Sequence, residues 1–182
     1  AVNTLLKKDG RWQGFNTDIP GFSKDLLRQC DPAGKSVAII GSGGGSRAVA
    51  YVLAQAHARE IVICDVDPGK SESIVAMITG LFSGFSIRSV PSVQALDVPS
   101  RDILINATPI GLKTSDPLLV DPSWLHSGQF VYDLIYNPAQ TALLQAAAGK
   151  GCRTSNGLGM LLYQGMLSFQ LWTGVMPPEK VV

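Results

Sequence analysis

Residues 37–48 read Val-Ala-Ile-Ile-Gly-Ser-Gly-Gly-Gly-Ser-Arg-Ala, and this stretch decides the fold. The apolar residues at its start are typical of a buried parallel strand. Gly41 permits a tight turn after that strand, and Gly43 lets the backbone approach a pyrophosphate group. Amide groups at the start of the next helix then face the phosphates. We therefore predict a dinucleotide-binding turn formed by Gly41, Gly43, Gly44, Gly45, Ser46 and Arg47, where a hydroxyl contact from Ser46 to phosphate replaces the usual third glycine.

Asp65 ends the next predicted strand, 24 residues after Gly41. In dinucleotide-binding folds an acid ~20 residues beyond the turn accepts hydrogen bonds from the ribose hydroxyls. Its carboxylate would repel the 2′-phosphate of NADP, and Val66 and Asp67, which follow, offer no arginine to that phosphate. We therefore predict NAD rather than NADP as the cofactor. The alternative is that Asp65 or Asp67 caps the helix that follows.

The composition limits the classes of partner. Of the 182 residues, 46% are hydrophobic and 16% are charged, and the formal net charge is +1. This balance supports a buried core and gives no basic stripe for nucleic acid. No apolar run reaches the ~18 residues of a membrane span, so we expect neither nucleic acid nor a membrane as partner. The three cysteines are widely spaced, which argues against a disulfide framework or a metal site and favours a cytoplasmic location.

Strands and helices alternate along most of the chain, which predicts an α/β fold with a doubly wound parallel sheet of the Rossmann type. A hairpin over residues 2–6 and 12–15 precedes this sheet, and a helix capped by Thr17 or Asp18 follows the hairpin. The last helix, over residues 159–173, is apolar on most sides, so we expect it to be buried between two bodies. The predicted strands of the sheet span residues 36–40, 61–64, 87–90, 102–105, 130–134 and 153–154, and the helices between them residues 46–56, 67–78 and 141–148.

Six motifs occur in an order that resembles the shikimate dehydrogenase family, and together they cover essentially the whole chain. The segment over residues 64–67, Cys-Asp-Val-Asp, resembles the NAD-dependent quinate/shikimate branch and departs from the Asn-Arg-Thr/Ser signature of the NADP-specific enzymes. The motifs are Ala-Val-Asn-Thr (1–4), Gly-Phe-Asn-Thr-Asp-Ile-Pro-Gly (14–21), Gly-Ser-Gly-Gly-Gly-Ser-Arg-Ala (41–48), Asn-Ala-Thr-Pro (106–109), Asp-Leu-Ile-Tyr-Asn-Pro (133–138) and Asn-Gly-Leu-Gly-Met-Leu (156–161).

The resemblance implies an oxidoreductase that transfers a hydride between NAD and a ring hydroxyl of shikimate or quinate. It also implies a substrate domain joined to a cofactor domain, with the active site between them. We therefore expect residues 1–17 to be a remnant of the substrate domain and residues 18–155 to be the NAD-binding domain. Residues 156–182 are expected to form a helix that closes back toward the substrate domain.

Site residues are carried over position by position. The resemblance implies that Asp18 is catalytic and that Asn3, Asp18, Tyr136 and Gln164 contact the substrate. Asn3 as a turn residue, Asp18 as a helix cap and Tyr136 as a boundary aromatic are the structural alternatives. Around the nicotinamide, we expect Thr108, Ile135 and Gly157 to line the pocket.

In the family a lysine assists the catalytic aspartate, and its motif lies upstream of Ala1. We therefore expect this chain to be part of a longer protein and to show little or no turnover by itself. The second hypothesis is a module that binds the dinucleotide without catalysis. The sequence leaves open the choice between quinate and shikimate and the oligomeric state.

Overall fold

The computed structural model of the protein describes residues 2–179, and the bounds of its elements follow the predicted pattern closely. The strands are β1 (Thr4–Lys8), β2 (Arg11–Phe15), β3 (Ser36–Ile40), β4 (Glu60–Cys64), β5 (Ile87–Val90), β6 (Ile103–Asn106), β7 (Phe130–Asp133) and β8 (Arg153–Asn156). The α-helices are α1 (Asp18–Gln29), α2 (Gly44–Gln55), α3 (Pro68–Leu81), α4 (Ala142–Gly149) and α5 (Leu158–Thr173).

Strands β3 to β8 form one parallel sheet in the order β5-β4-β3-β6-β7-β8. The chain moves outward from β3 to β5, returns to the centre at β6, and moves outward again in the other direction. This is the Rossmann strand order, and it confirms the predicted doubly wound fold. The carboxyl ends of β3 and β6 are neighbours where the order reverses, and ligands bind at such a point in open α/β sheets.

Alternate side chains of the central strands pack on opposite faces of the sheet. Ile39 and Ile63 contribute to the layer that contains α1, α2 and α3. Ala38 and Val62 contribute to the layer that contains α4. Because both faces are covered, every residue of β3 is buried, which explains the apolar run over residues 37–40.

Helix α1 begins as predicted, but its capping side chain is a different one. Thr17 occupies the N-cap position and makes no side-chain cap hydrogen bond. The Oδ1 atom of Asn16 instead accepts the backbone N–H groups of Asp18 and Ile19, at 3.0 and 3.2 Å. The Asp18 carboxylate is therefore not used as the helix cap.

Helix α5 covers one side of α1, and strand β1 of the hairpin contacts α5. Helix α5 packs along α1, and the Trp172 Nε1 donates to the carbonyl of Leu5 in β1 at 2.9 Å. Tyr163 and Met166 of α5 are buried, whereas Phe169 and Trp172 are exposed. The sequence predicted that α5 is buried between two bodies. Within residues 2–179, only one side of the helix is covered.

Candidate functional site

The turn after β3 requires glycine at its first position. Gly41 has φ +99°, and its N–H donates to the carbonyl of Cys64 at 2.8 Å. A Cβ atom at Gly41 would lie 2.7 Å from the carbonyl oxygen of Ala107, the residue after β6. The turn therefore passes directly over the end of the neighbouring strand, and a side chain there would separate the two.

The start of α2 is open to an anion. Gly43 is its N-cap residue, and no side chain caps the helix. Gly43 and Gly44 are exposed, and a Cβ atom at either would meet no atom within 4 Å. Uncapped N–H groups at a helix start, with open space in front of them, fit the pyrophosphate of a dinucleotide.

Ser46 plays a structural part that differs from the predicted one. Its side chain is fully buried, and its Oγ donates to the carbonyl of Gly41 at 2.6 Å. This hydroxyl is therefore engaged within the turn, and the expected contact to a phosphate stays a prediction. Ser46 fixes the turn from inside, which is why a small polar residue can replace the third glycine of the usual fingerprint.

A cleft runs along the carboxyl edge of the sheet in two contiguous sections. The larger section, about 770 Å³, lies between the glycine turn and the ends of β4 and β5. The smaller section, about 440 Å³, lies between the glycine turn and the loop after β7. Gly43, Gly44 and Thr108 line both sections. The turn therefore stands at the middle of an elongated cleft, as an extended dinucleotide requires.

Asp65 lies in the larger section at the end of β4. Its Oδ2 accepts the N–H of Ser42 at 2.7 Å and its Oδ1 accepts the N–H of Asp67 at 2.9 Å. The cap of α3 is Asp67, whose side chain accepts the N–H of Gly69. Asp65 therefore holds the glycine turn and keeps further lone pairs for a ligand in the cleft.

Arg47 and Lys70 also line the larger section. The Arg47 Nη2 donates to the Ser73 hydroxyl at 2.9 Å, and the Lys70 Nζ lies 3.8 Å from Oδ2 of Asp67. Both cations thus have partners on α3 or at its cap.

Thr108 and Ile135 line the smaller section, as predicted for the nicotinamide pocket, together with Gly45 and Tyr136. Gly157 is not among the residues that line either section, and it is buried. Its N–H donates to the carbonyl of Ile135 at 3.2 Å, and a Cβ atom there would overlap the carbonyl of Leu134. Gly157 therefore lets α5 start directly behind the loop after β7, and its contact with a nicotinamide stays a prediction.

Asn3, Asp18 and Gln164 gather around Thr17, which is buried. The Asn3 Nδ2 donates to Oδ1 of Asp18 at 2.8 Å and to the Thr17 hydroxyl at 2.9 Å. That hydroxyl also donates to Oε1 of Gln164, at 3.5 Å. Tyr136 belongs to the loop after β7 and is 47% exposed. Three of the four predicted substrate residues are thus brought into one hydrogen-bonded group.

Sequence reasoning gave no role to the side chains of Asn106 and Asp133, although both stand in quoted motifs. Both are fully buried, and their side chains are joined by a hydrogen bond of 2.9 Å. The available signal was a polar residue at the end of each of two otherwise apolar strands.

Within residues 2–179, no helix is long and apolar enough to cross a membrane. Across the same residues, no group of three or more His, Cys, Asp or Glu side chains could hold a metal ion.

Separate comparisons with known proteins agree on one protein family. The family profile of the Shikimate 5'-dehydrogenase C-terminal domain matches residues 157–182. The shikimate dehydrogenase (NADP(+)) of Moorella thermoacetica is 38% identical over 186 residues, which cover all of this chain and 63% of that enzyme.

Two solved structures cover the whole chain at 31% identity. The quinate dehydrogenase from Corynebacterium glutamicum, in complex with NAD, has a TM-score of 0.91, and the chain spans 65% of its length. The shikimate 5-dehydrogenase from Listeria monocytogenes, in complex with shikimate and NAD, has a TM-score of 0.89, and the chain spans 66% of its length. With its Rossmann sheet and open glycine turn, the chain belongs to the shikimate dehydrogenase family of oxidoreductases and carries the NAD(P)-binding domain of that family.

Proposed function

We propose that this chain is the cofactor-binding part of an NAD-dependent oxidoreductase that acts on a ring hydroxyl of shikimate or quinate. The observation that carries the proposal is the Asp65 carboxylate, which lies in the larger section of the cleft beside the open glycine turn. The Corynebacterium relative binds NAD, whereas the Moorella relative is named for NADP. The choice of cofactor therefore depends on the residues of this chain.

Each part of the cleft fits one part of NAD. The N–H groups at Gly43 and Gly44 hold the pyrophosphate, and Asp65 accepts hydrogen bonds from the hydroxyls of the adenosine ribose. The nicotinamide lies in the smaller section, against Thr108 and Ile135. When bound there, NAD accepts or donates the hydride, and the residues of the chain orient it and exclude water.

The charges around Asp65 favour NAD over NADP. A 2′-phosphate would meet the Asp65 carboxylate, and the nearby cations Arg47 and Lys70 already contact Ser73 and Asp67. To bind NADP, these cations would have to leave those partners and compensate for the carboxylate.

On the substrate side, we propose that Asn3, Asp18 and Gln164 bind the ring hydroxyls and that Tyr136 approaches the substrate from the loop after β7. The hydrogen bond from Asn3 fixes Oδ1 of Asp18. The second carboxylate oxygen is then available to take the proton of a hydroxyl. The proposed division of the chain is residues 1–17 for the substrate side, 18–155 for the cofactor domain and 156–182 for the segment that contains the closing helix α5, with residues 1 and 180–182 outside the described part of the chain.

Dinucleotide binding without turnover is the second candidate function for this chain alone. Among residues 2–179, the ion pairs include none between Asp18 and a lysine or arginine. A proton relay through Asp18 alone would be weak, so NAD should bind while oxidation of shikimate or quinate stays near background. An NAD-linked assay with each substrate tests this, and rapid turnover would contradict it.

The cofactor choice is tested with the Asp65→Asn variant in calorimetric titrations with NAD and NADP. The wild-type chain should bind NAD more tightly than NADP. Asp65→Asn should reduce that preference by about tenfold, because the charge that repels the phosphate is removed and the ribose acceptor is weakened.

Asp102→Asn is the matched control, since Asp102 also accepts a backbone N–H but does not line the cleft. It should keep the preference for NAD. Tighter binding of NADP than NAD by the wild-type chain would contradict the proposed cofactor.

A further inference from the structure

We infer that Asp133 is a positioning residue, which acts with Asn106 to fix the two loops that form the nicotinamide end of the cleft. The inference rests on the proposed function, because it assigns the smaller section of the cleft to the nicotinamide. It concerns two residues for which the sequence predicted no role.

Asp133 is the last residue of β7, and its carboxylate joins three segments of the chain. Its Oδ1 accepts the Nδ2 of Asn106 at 2.9 Å and the N–H of Ile135 at 3.0 Å. Its Oδ2 accepts the hydroxyl of Thr141, the N-cap of α4, at 2.6 Å. One buried side chain therefore links the end of β6, the loop after β7 and the start of α4.

Asn106 extends this link to the loop after β6. Its Oδ1 accepts the N–H of Thr108 at 2.9 Å and the Thr108 hydroxyl at 2.8 Å. Its Nδ2 also donates to the carbonyl of Ile110 at 3.1 Å. Thr108 and Ile135, which both line the smaller section, are thus connected through only two side chains.

A buried ionisable side chain such as that of Asp133 is unusual at a position that has only a packing role. Its side chain is fully buried, and the hydrogen bonds to it come from uncharged donors. Burial raises the pKa of its carboxyl group, although these hydrogen bonds oppose the shift. A buried carboxylate is unfavourable unless its acceptors are all used, so the donors must be held in place around it. The hydrogen bonds that compensate for the burial of Asp133 therefore also fix the positions of the two loops.

The network is centred on one end of the cleft, although Thr108 and Ile110, which it holds, also line the larger section. Its members lie at the ends of β6 and β7, whereas Asp65 and Val66, in the larger section, are at the end of β4. Loss of the network should therefore loosen the nicotinamide end and leave the adenosine end intact.

The experiment compares NADH, whose nicotinamide fluoresces, with ADP-ribose, which lacks the nicotinamide. Asp133→Ala and Asn106→Ala should each weaken NADH binding by about tenfold, because donors or acceptors at the loops lose their partners. The emission of bound NADH should shift toward that of free NADH. The affinity for ADP-ribose should stay within about twofold of the wild-type value, well under the tenfold that corresponds to one such interaction.

Three further variants complete the experiment. Asp133→Asn keeps an acceptor for Asn106 and Ile135, so it should recover most of the NADH affinity. The double variant should be less impaired than the sum of the single changes in binding free energy, since the two side chains share a hydrogen bond and hold the same loops. Asp102→Ala is the matched control, because Asp102 accepts two hydrogen bonds from Ser36 at the opposite edge of the same sheet. It should leave both affinities unchanged.

The outcomes separate this inference from the proposed function. If Asp133→Ala does not fold, the Asn106→Ala variant still provides the comparison of the two ligands. Equal loss of NADH and ADP-ribose binding, or wild-type NADH binding and emission in both alanine variants, would overturn the inference while the proposed function stands. Failure of the folded wild-type chain to bind either ligand would overturn both.

Discussion

Buried or half-buried aspartates at strand ends organise the backbone of this protein. At the carboxyl edge, Asp65 and Asp133 accept N–H groups of the loops that line the cleft. At the amino edge, Asp102 accepts the N–H and the hydroxyl of Ser36, at 2.8 and 2.9 Å. The same chemistry thus serves the ligand site at one edge and stability at the other.

The stabilising effect of Asp102 should depend on pH in a defined direction. Its hydrogen bonds from Ser36 lower the pKa of its carboxyl group below the ordinary value. A lowered folded-state pKa stabilises the protein above the unfolded-state pKa, and this contribution is lost as the pH falls through the folded-state pKa. Asp102→Ala should therefore lower the free energy of unfolding by about 1 kcal/mol at pH 7, and by less below about pH 4.

Urea unfolding of the two proteins at pH 7 and pH 3 measures this difference. Lys35→Ala separates the ion pair from the hydrogen bonds, since the Lys35 Nζ lies 3.8 Å from Asp102 and is about half exposed. That variant should change stability by only a few tenths of a kcal/mol. A loss that is the same at both pH values would contradict a contribution from the ionised carboxylate.

At the residue scale, the sequence predicted the roles of backbone atoms better than those of side chains. The glycine turn follows from steric limits that are local to residues 41–44, so it could be recognised without a structure. The hydroxyl of Ser46 and the cap by Asn16 could not, because each depends on where a short polar side chain points after folding. The partners of Asp133 come from β6, the next loop and α4, and such nonlocal contacts leave no spacing signal.

At the element scale, helices α1 and α5 approach each other closely. Their contact supports the hairpin and positions the proposed substrate residues. A Cβ atom at Gly159 would overlap the carboxylate of Asp25, which also accepts the Tyr132 hydroxyl at 2.6 Å. The first turn of α5 is therefore held directly against α1 and β7. In this position the helix brings Gln164 toward Thr17.

Gly159→Ala should reduce the free energy of unfolding by about 1–3 kcal/mol, because the added methyl group forces α5 away from α1. Gly165→Ala is the matched control on the same helix, since a Cβ atom there meets nothing within 4 Å. It should leave stability unchanged or raise it by up to about 1 kcal/mol through helix propensity. Denaturant unfolding of both variants checks this, and equal effects would contradict the proposed contact.

The elements themselves were predictable because their signals are local. Four strands of the sheet, β3, β4, β6 and β7, are mainly apolar runs, and the predicted ends of all six agree with the structure within about two residues, the usual uncertainty of such boundaries. Leu27 shows the limit of such local signals, since it is apolar and follows the fully buried Leu26 in α1, yet it is 53% exposed. The partner of the exposed side of α5 also could not be read from its composition.

At the scale of the whole molecule, the reversal of strand order places the functional features at one edge. Gly41 follows β3, Thr108 follows β6 and Ile135 follows β7, and these loops meet where the sheet changes direction. The cleft is therefore a consequence of topology, and its two sections extend to either side of the glycine turn. The proposed function requires a nicotinamide dinucleotide to bind across this turn.

The most direct test is a calorimetric titration of NAD into the wild-type chain and into Gly43→Ala and Gly80→Ala. Both glycines have free space for a Cβ atom, but only Gly43 lies in the cleft. All three proteins should keep similar unfolding temperatures. The wild-type chain and Gly80→Ala should bind NAD alike, and Gly43→Ala should bind it about tenfold more weakly, because its methyl group occupies the path of the pyrophosphate. Unchanged NAD binding by Gly43→Ala, or no binding by the folded wild-type chain, would contradict the placement of the cofactor across the turn.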